Sequence, residues 1–342
     1  MSALPIHQLS NLGTSEFKVS TGSIKLDAAL NGGFHSGNIY EIYGSESTGK
    51  TSIALRALDQ AISTGLRSLC IDAEFKLNDN SVKEMGVSPE IMCIKSSDQN
   101  AIFNFLLSPE FYENFDIVAI DTLTSLISTE DAMTPVGADS FSDSAINTSE
   151  FLKKFKVICA KENVCCIFID QIRFKSNETV PTHTRMGYEQ NTTFKLDSSA
   201  CNAVEHYSTA RIELYEKREL YVVKNANRDD IDTPPIGQET LFRISKNHQG
   251  RPGLKGKLTF IFGSGFSQDL ELADYGIKLG ILKVENDAVV YDNQIIATSK
   301  LQLIDFMKNM DDVRKKISEN INAYEGNMHL KVHDESNKRD PS

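Results

Sequence analysis

The chain has 342 residues, of which 40% are apolar and 24% are charged, as expected of a globular protein with a large buried core. No apolar run approaches the roughly 20 residues of a membrane-spanning helix, and the first residues, MSALPIHQLSN, lack a signal-peptide pattern. We therefore expect a cytoplasmic protein without a membrane partner. The net charge of −11 argues against nonspecific nucleic-acid binding by the whole surface and leaves room for a local basic path.

Strands and helices alternate from residue 38 onward. Apolar runs predict strands at 38–43, 67–72, 91–95, 116–121 and 164–169, and helical spacing predicts helices at 51–63, 79–85, 99–107 and 145–162. This alternation predicts crossover connections and an α/β fold, with a mostly parallel central sheet that is flanked by helices on both faces.

The pattern changes after residue 210. Closely spaced strands at 210–215, 220–224, 240–245 and 257–262 predict an antiparallel extension of the sheet. A mainly helical pattern from Leu270 to about Tyr324 predicts a small C-terminal α/β lobe. The expected organisation is a short N-terminal segment, a core, a small C-terminal domain and a disordered tail, at 1–20, 21–265, 266–325 and 326–342.

One segment matches the phosphate-binding pattern G-x-x-x-x-G-K-[ST] in full, between the first strand and the first helix of this series. A chance match in a Gly/Ser-rich turn would lack those flanks. Backbone N–H groups and the positive helix end can wrap a polyphosphate, with Lys50 against its β- and γ-phosphates and the Thr51 hydroxyl on Mg²⁺. The sequence therefore predicts ATP binding by the eight residues Gly44, Ser45, Glu46, Ser47, Thr48, Gly49, Lys50 and Thr51.

Two acidic residues follow predicted parallel strands, at the edge where ligands bind in open α/β sheets. Glu74 lies just beyond the strand at 67–72 and could polarise the water that attacks a γ-phosphate, although a solvated strand-end acid would look the same. Asp121 ends the apolar strand FDIVAID, which is the Walker B pattern. Together with the phosphate loop, this pattern predicts that Asp121 meets the metal ion through water, opposite Thr51.

A polar stretch at 172–197 follows the strand at 164–169. Gln171, at its root, has an amide that can sense a γ-phosphate. Cations together with flat or apolar side chains suit a single-stranded nucleic-acid path, whereas the acids in the same stretch are equally compatible with a loop that binds nothing. The candidate DNA-binding residues are Arg173, Lys175, Arg185, Met186, Tyr188 and Phe194.

The motifs GSESTGKT, IDAE, DIVAID and FIDQIR occur in an order that resembles the RecA family of DNA recombinases. The segments 19–30 and 41–44 resemble that family's entry into its ATPase core, and Ser245-Lys246-Asn247 followed by 263–266 resembles two of its later elements. The resemblance covers roughly residues 19–325, and its divergence favours a bacteriophage-encoded member.

The resemblance implies roles for particular residues. Glu74 matches the catalytic glutamate, and Gln171 matches the residue that links the γ-phosphate to the second DNA loop. The stretches 129–143 and 172–197 take the places of the two DNA loops. Lys246 matches the first of two lysines that reach a neighbouring subunit's phosphates, and His248 occupies the second position.

The implied function is that of an ATP- and Mg²⁺-dependent recombinase, a DNA-dependent ATPase. Such a protein forms a helical filament on single-stranded DNA, pairs that strand with homologous double-stranded DNA and exchanges strands. The N-terminal segment contacts the adjacent subunit in this scheme. A single-strand binding protein and a loading mediator are the implied accessory partners.

Several departures from the family pattern keep other functions open. His248 replaces a lysine, so hydrolysis could be slower or sensitive to pH, and Ser81 stands where the family has an adenine-stacking tyrosine. The N-terminal segment is short for a docking helix, and His206 replaces an interface aromatic residue. A hexameric helicase-like or packaging-type motor, or a mediator that uses ATP as a switch with little turnover, would share the same core.

Overall fold

The computed structural model of the protein describes residues 16–133, 143–171, 174–175, 195–196, 199–221 and 234–321. Within these residues the helices are α1 (Ile24–Ala29), α2 (Lys50–Ser63), α3 (Asp79–Glu84), α4 (Gln99–Leu106), α5 (Pro109–Tyr112), α6 (Thr129–Met133), α7 (Asp143–Glu162), α8 (Ser199–Tyr207), α9 (Gln268–Lys278), α10 (Lys300–Asn309) and α11 (311–321). None of them is long and apolar enough to cross a bilayer.

The strands in the same part of the chain form one large sheet and three small ones. They are β1 (Lys18–Val19), β2 (Phe34–His35), β3 (Ile39–Gly44), β4 (Ser68–Asp72), β5 (Met92–Lys95), β6 (Ile117–Asp121), β7 (Cys165–Gln171), β8 (Phe174–Lys175), β9 (Lys195–Leu196), β10 (Ala210–Leu220), β11 (Gly237–Asn247), β12 (Lys255–Ile261), β13 (Gly265–Phe266), β14 (Lys283–Glu285), β15 (Ala288–Tyr291) and β16 (Gln294–Ala297).

The large sheet has the strand order β13-β12-β11-β10-β3-β7-β6-β4-β5 among the described residues. The six strands from β10 to β5 are parallel to one another, and β11, β12 and β13 extend the sheet in antiparallel fashion. This arrangement confirms the predicted α/β fold with a mostly parallel sheet. Because β3, β7, β6 and β4 are parallel, their carboxyl ends lie side by side at one edge.

Both faces of the sheet are covered by helices, which explains why its central strands read as continuous apolar runs. In β6, Ile117 and Ala119 belong to the hydrophobic cluster that includes α2, whereas Val118 and Ile120 belong to the cluster on the opposite face. The second cluster contains apolar side chains of α4 and α7, such as Phe103 and Phe151. The alternating side chains of the central strands, such as β3 and β6, are therefore buried on both sides.

Local signals set the ends of several helices. The Asp98 carboxylate accepts a hydrogen bond from the Ala101 N–H at 3.0 Å and begins α4, and Ser299 caps α10 in the same way through the Gln302 N–H at 3.3 Å. The helix α2 stops before Gly65, whose φ of 83° cannot continue a helix.

One pair of predicted strands, at 210–215 and 220–224, is a single strand in the structure. β10 continues from Ala210 to Leu220, and residues 222–224 lie outside the described residues. The register with β11 shifts between Tyr215 and Lys217, where Glu216 has a φ of 44°. A β-bulge therefore lets one strand continue through the polar residues that lie between the two predicted strands.

The C-terminal unit contains a three-stranded antiparallel sheet, β14-β15-β16, that the mainly helical sequence pattern did not locate. Its two tight turns are formed by Asn286-Asp287 and Asp292-Asn293. All four residues have positive φ, as type I′ hairpin turns require, and Asn and Asp are residue types that favour such turns in a sequence. The sheet packs with α9, α10 and α11 around its own hydrophobic cluster, which includes Leu282, Met307 and Ile317. The exact domain boundaries stay a prediction.

Candidate active site

The phosphate-loop sequence connects β3 to α2 and needs glycine at two positions. At Gly44, a Cβ atom would lie 2.2 Å from the carbonyl oxygen of Leu214 in β10. At Gly49, φ is 92° and a Cβ atom would lie 2.4 Å from the ring of Phe260. Glycine avoids both collisions and lets β3 turn directly into the amino end of α2. The first N–H groups of α2 have no partner within the helix and point into the turn, where they can bind an anion.

Side chains of the loop stabilise its shape. Lys50 Nζ donates to the carbonyl oxygens of Gly44 at 3.0 Å and Ser45 at 2.7 Å, and Thr48 Oγ1 donates to the same Ser45 oxygen at 2.9 Å. Burial lowers the pKa of Lys50, because it disfavours the charged ammonium. The other motif residues that line the adjoining cleft are Glu46, Ser47, Gly49 and Thr51.

Thr51 and Asp121 meet directly. The Thr51 hydroxyl donates a hydrogen bond of 2.5 Å to Asp121 Oδ2 at the end of β6. Burial raises the pKa of Asp121, and the hydrogen bond from Thr51 opposes that shift. A hydroxyl and a carboxylate side by side are hard oxygen donors of the kind that Mg²⁺ prefers. Among the described residues, no group of three or more His, Cys, Asp or Glu side chains is arranged so that it could hold a metal ion.

Glu74 and Gln171 lie in the same cleft. Gln171 ends β7 and Glu74 follows β4, and the two strands flank β6 in the sheet. Gln171 Nε2 donates a hydrogen bond of 2.7 Å to Glu74 Oε1. The structure thus joins two predicted site residues that are 97 positions apart in sequence.

Three further contacts of Glu74 come from residues that sequence reasoning did not select. Thr122 Oγ1 and Ser125 Oγ each donate to Glu74 Oε1 at 3.2 Å, and Lys76 forms an ion pair with Oε2. Thr122 and Ser125 closely follow Asp121, and Lys76 follows Glu74 in the sequence. Polar residues just beyond the carboxyl ends of parallel strands were therefore the signal that could have found all three.

The cleft has a volume of about 440 Å³ and is lined by apolar as well as charged side chains. Met85, Phe260 and Phe262 belong to its apolar lining, and Phe262 is 50% exposed. Ser81 also lines the cleft, but its hydroxyl donates to the Asn78 carbonyl oxygen at 2.8 Å and accepts from the Asn78 N–H at 2.9 Å, as part of the cap of α3. A cleft of this size with both charged and apolar lining residues suits a nucleoside polyphosphate.

Lys246 and His248 lie at the opposite edge of the sheet, at the amino ends of the parallel strands. Lys246 pairs with Arg211, which in turn pairs with Glu41 near the start of β3, whereas the phosphate loop leaves the other end of that strand. Lys246 Nζ donates to the carbonyl oxygens of Glu205 at 2.5 Å and His206 at 3.1 Å, at the carboxyl end of α8. Burial lowers the pKa of Lys246, and the nearby Arg211 adds to that effect.

A buried ion pair anchors this second edge. The Arg211 guanidinium donates to both carboxylate oxygens of Glu41, at 2.5 and 3.1 Å, and forms an ion pair of 2.9 Å with Glu205 of α8. It also lies over the Tyr43 ring, 4.4 Å from its centroid. Glu41 and Arg211 are both buried. The contacts connect α8 to β3, the strand that leads into the phosphate loop.

Residues 243–257 are the most basic stretch of the sequence, with five lysines and arginines and no acid, and neighbouring side chains neutralise part of this charge. Arg243 pairs with Glu213 on β10, and Lys257 pairs with Glu239 at 2.9 Å. Since Lys246 is engaged with α8, these three cations have partners within the chain. The stretch therefore does not present all of its charge as a continuous phosphate-binding path.

Most candidate DNA-binding residues lie outside the described residues. This applies to Arg173, Arg185, Met186, Tyr188 and Phe194. Lys175 is described only through its backbone, in β8, where it pairs with Lys195 of β9. The stretch at 129–143 begins with α6, and residues 134–142 lie outside the described part. The assignment of both stretches to DNA binding stays a prediction.

Sequence comparisons agree with these features. The family model for the RecA N-terminal domain matches residues 6–267. Protein RecA of Wolinella succinogenes is 28% identical over 305 residues, which cover 89% of this chain and 81% of the relative. Protein RecA of Sulfurovum sp. strain NBC37-1 is 30% identical over 280 residues, which cover 80% of this chain and 75% of the relative.

Among solved structures, the crystal structure of a RadB recombinase aligns with 72% of this chain and 98% of its own, with a TM-score of 0.48 and 19% identity. The assignment rests on the sequence matches, because the family model covers well over half of the chain. The protein therefore belongs to the RecA family.

Proposed function

We propose that this protein is an ATP-dependent DNA recombinase that forms a filament on single-stranded DNA and pairs that strand with homologous duplex. The contact between Gln171 and Glu74 carries this proposal. It joins the residue suited to activate water to the last residue before the predicted DNA loop at 172–197. If that loop moved when it bound DNA, the hydrogen bond between Gln171 and Glu74 would change. DNA binding would then control whether Glu74 can act on the attacking water.

The residues at the phosphate-loop edge divide the work of hydrolysis. The α2 amino end and Lys50 would bind the phosphates, and Thr51 and Asp121 would hold Mg²⁺, which would neutralise phosphate charge. Glu74 orients and polarises the attacking water. Thr122 and Ser125 keep its carboxylate in place, because their hydroxyls donate to the same oxygen as Gln171.

The position of Lys246 supports active sites that are completed between subunits. In its own chain, Lys246 binds the carboxyl end of α8 at the opposite edge of the sheet from the phosphate loop, so in a catalytic role its ammonium would serve a neighbour's cleft. A complete trans cation set contributes roughly 10³–10⁵ in rate to phosphoryl transfer. With His248 in the second position, we expect a contribution below that range.

DNA binding and strand exchange are inferred from the family and from the loop at 172–197. Homologous duplex, a single-strand binding protein and a loading mediator are the proposed partners of the filament. The predicted DNA loops would bind phosphates and bases of the single strand, which the acidic surface as a whole would repel.

The test is ATP hydrolysis with and without a long single-stranded DNA, over a range of protein concentrations. We expect strong stimulation that rises cooperatively with protein, because each site needs a neighbour on the DNA. If the protein bound ATP but hydrolysed it at the same rate with and without DNA, the proposal would be contradicted. That result would favour an ATP-switched mediator. Closed rings in micrographs and unwinding of a forked duplex would instead indicate a helicase-like motor.

A further inference from the structure

The turn after β4 directs Lys76 into the active-site cleft. The buried Asp72 carboxylate, which ends β4, accepts hydrogen bonds from the N–H groups of Lys76 at 3.1 Å and Leu77 at 2.9 Å. Phe75, between Glu74 and Lys76, has a φ of 57°. This left-handed residue and the carboxylate that caps the turn hold the backbone so that Lys76 faces Glu74.

The ammonium of Lys76 covers one oxygen of Glu74. It pairs with Oε2, whereas Gln171, Thr122 and Ser125 all donate to Oε1. The carboxylate is thus engaged on both oxygens. The interaction with Glu74 raises the pKa of Lys76, which keeps the ammonium charged at neutral pH.

The two members of this ion pair differ in their freedom to move. The Glu74 side chain is 12% exposed and is held by three donors, whereas the Lys76 side chain is 63% exposed. Lys76 lines the same cleft as Lys50 and Thr51. A side chain that is mostly exposed can change partner without disturbing the core, since most of its surface already faces solvent.

We propose that Lys76 exchanges its ion partner when ATP binds, from Glu74 to the terminal phosphate, and so acts as a γ-phosphate sensor within the same chain. The exchange uncovers Oε2 of Glu74 for the attacking water. It also places a second cation at the terminal phosphate beside Lys50. This inference rests on the proposed nucleotide-binding function of the cleft.

A purely structural role does not account for Lys76. Ion pairs with a partner this exposed contribute about 0–1 kcal/mol to stability. The turn itself is held by backbone N–H groups that bind Asp72, which would remain after removal of the Lys76 ammonium. The Lys76→Met and Lys76→Arg variants should therefore melt within about 3 °C of the wild-type protein.

The experiment compares equilibrium binding of the non-hydrolysable ATP analogue AMP-PNP and of ADP, with Mg²⁺ and without DNA. Lys76→Met should weaken AMP-PNP binding about five- to tenfold, because a charge-assisted contact to the terminal phosphate is lost. ADP lacks that phosphate, so its affinity should change less than about twofold. Lys76→Arg should retain most of the preference for AMP-PNP, since it keeps the charge.

The matched control is Lys83→Met. Lys83 is an exposed lysine of α3 that does not line the cleft, and this variant should bind both nucleotides like the wild-type protein. The role of Lys76 would be overturned if Lys76→Met lost the same affinity for both nucleotides or no affinity for either. It would also be overturned if Lys83→Met showed the same change in affinity. None of these results would count against nucleotide binding by the cleft. Failure of the wild-type protein to bind either nucleotide would overturn the proposed function and this inference with it.

Discussion

The two edges of the central sheet hold their charged groups in different ways. At the phosphate-loop edge, Glu74 is fixed by hydroxyl and amide donors, while its cationic partner Lys76 is largely exposed. At the opposite edge, Glu41 and Arg211 are both buried and bound to each other. The first arrangement suits the exchange of partners with a ligand, and the second suits a permanent connection between α8 and the sheet.

The difference matters for how a filament could control hydrolysis. Lys246 is bound to the carboxyl end of α8, and Arg211 ties that helix to β3 through Glu205 and Glu41. The helix α8 follows the predicted DNA loop in the sequence. A shift of α8 would therefore reach both Lys246 and the strand that carries the phosphate loop. Four experiments can break or sharpen the comparison between the two edges.

Lys50→Ala should have the largest effect. Its ammonium is the buried cation of the phosphate loop, and we expect nucleotide binding to be lost or turnover to fall by at least about 10³-fold. Isothermal titration with ATP and a hydrolysis assay measure the two effects. Full ATPase activity in a clean preparation would refute the role of the loop.

Glu74→Gln should bind ATP and DNA stably but lower turnover by about 10³-fold, because the amide cannot polarise water as a carboxylate does. Single-turnover hydrolysis with DNA present is the measurement. Glu90→Gln, an exposed acid outside the cleft, is the matched control and should hydrolyse ATP normally. Wild-type turnover in Glu74→Gln would remove Glu74 from the mechanism.

Arg211→Met tests the buried edge. We expect the free energy of unfolding to fall by about 3–5 kcal/mol, because the Glu41 carboxylate would be left buried without its cation. Arg243→Met removes an ion pair in which the Arg243 side chain is 46% exposed, and should cost at most about 1 kcal/mol. Urea denaturation measures the free energy of unfolding of both variants. Equal decreases would show that burial does not distinguish the Glu41–Arg211 pair from the Glu213–Arg243 pair.

Lys246→Ala should lower DNA-dependent ATPase activity by about 10²-fold in assembled protein, less than the roughly 10³–10⁵ of a complete trans cation set. Turnover measured at saturating DNA, with filament formation checked by light scattering, separates hydrolysis from assembly. Lys255→Ala, an exposed lysine of β12, serves as the control. Unchanged activity of Lys246→Ala would refute the trans role.

Sequence reasoning was most accurate where the structure depends on near neighbours. The parallel strands and the helices between them follow from apolar periodicity, and the phosphate loop follows from glycine and lysine spacing within eight residues. Apolar periodicity did not predict that β10 continues past Glu216, because a bulge carries that strand through polar residues. It also did not predict β14, β15 and β16, because strands of three or four residues are too short to show a repeat. In the latter case the Asn/Asp turns carried the stronger signal.

The sequence by itself determined the fold class, the phosphate-loop motif and the family, because each depends on local backbone geometry or on motif order. Only the tertiary structure decided that Gln171, Thr122, Ser125 and Lys76 surround Glu74, that Lys246 lies on the opposite edge of the sheet and that Glu41 pairs with Arg211. Those contacts join residues from different strands and turns. Sheet order and register bring them together, and neither is encoded in any single stretch of sequence.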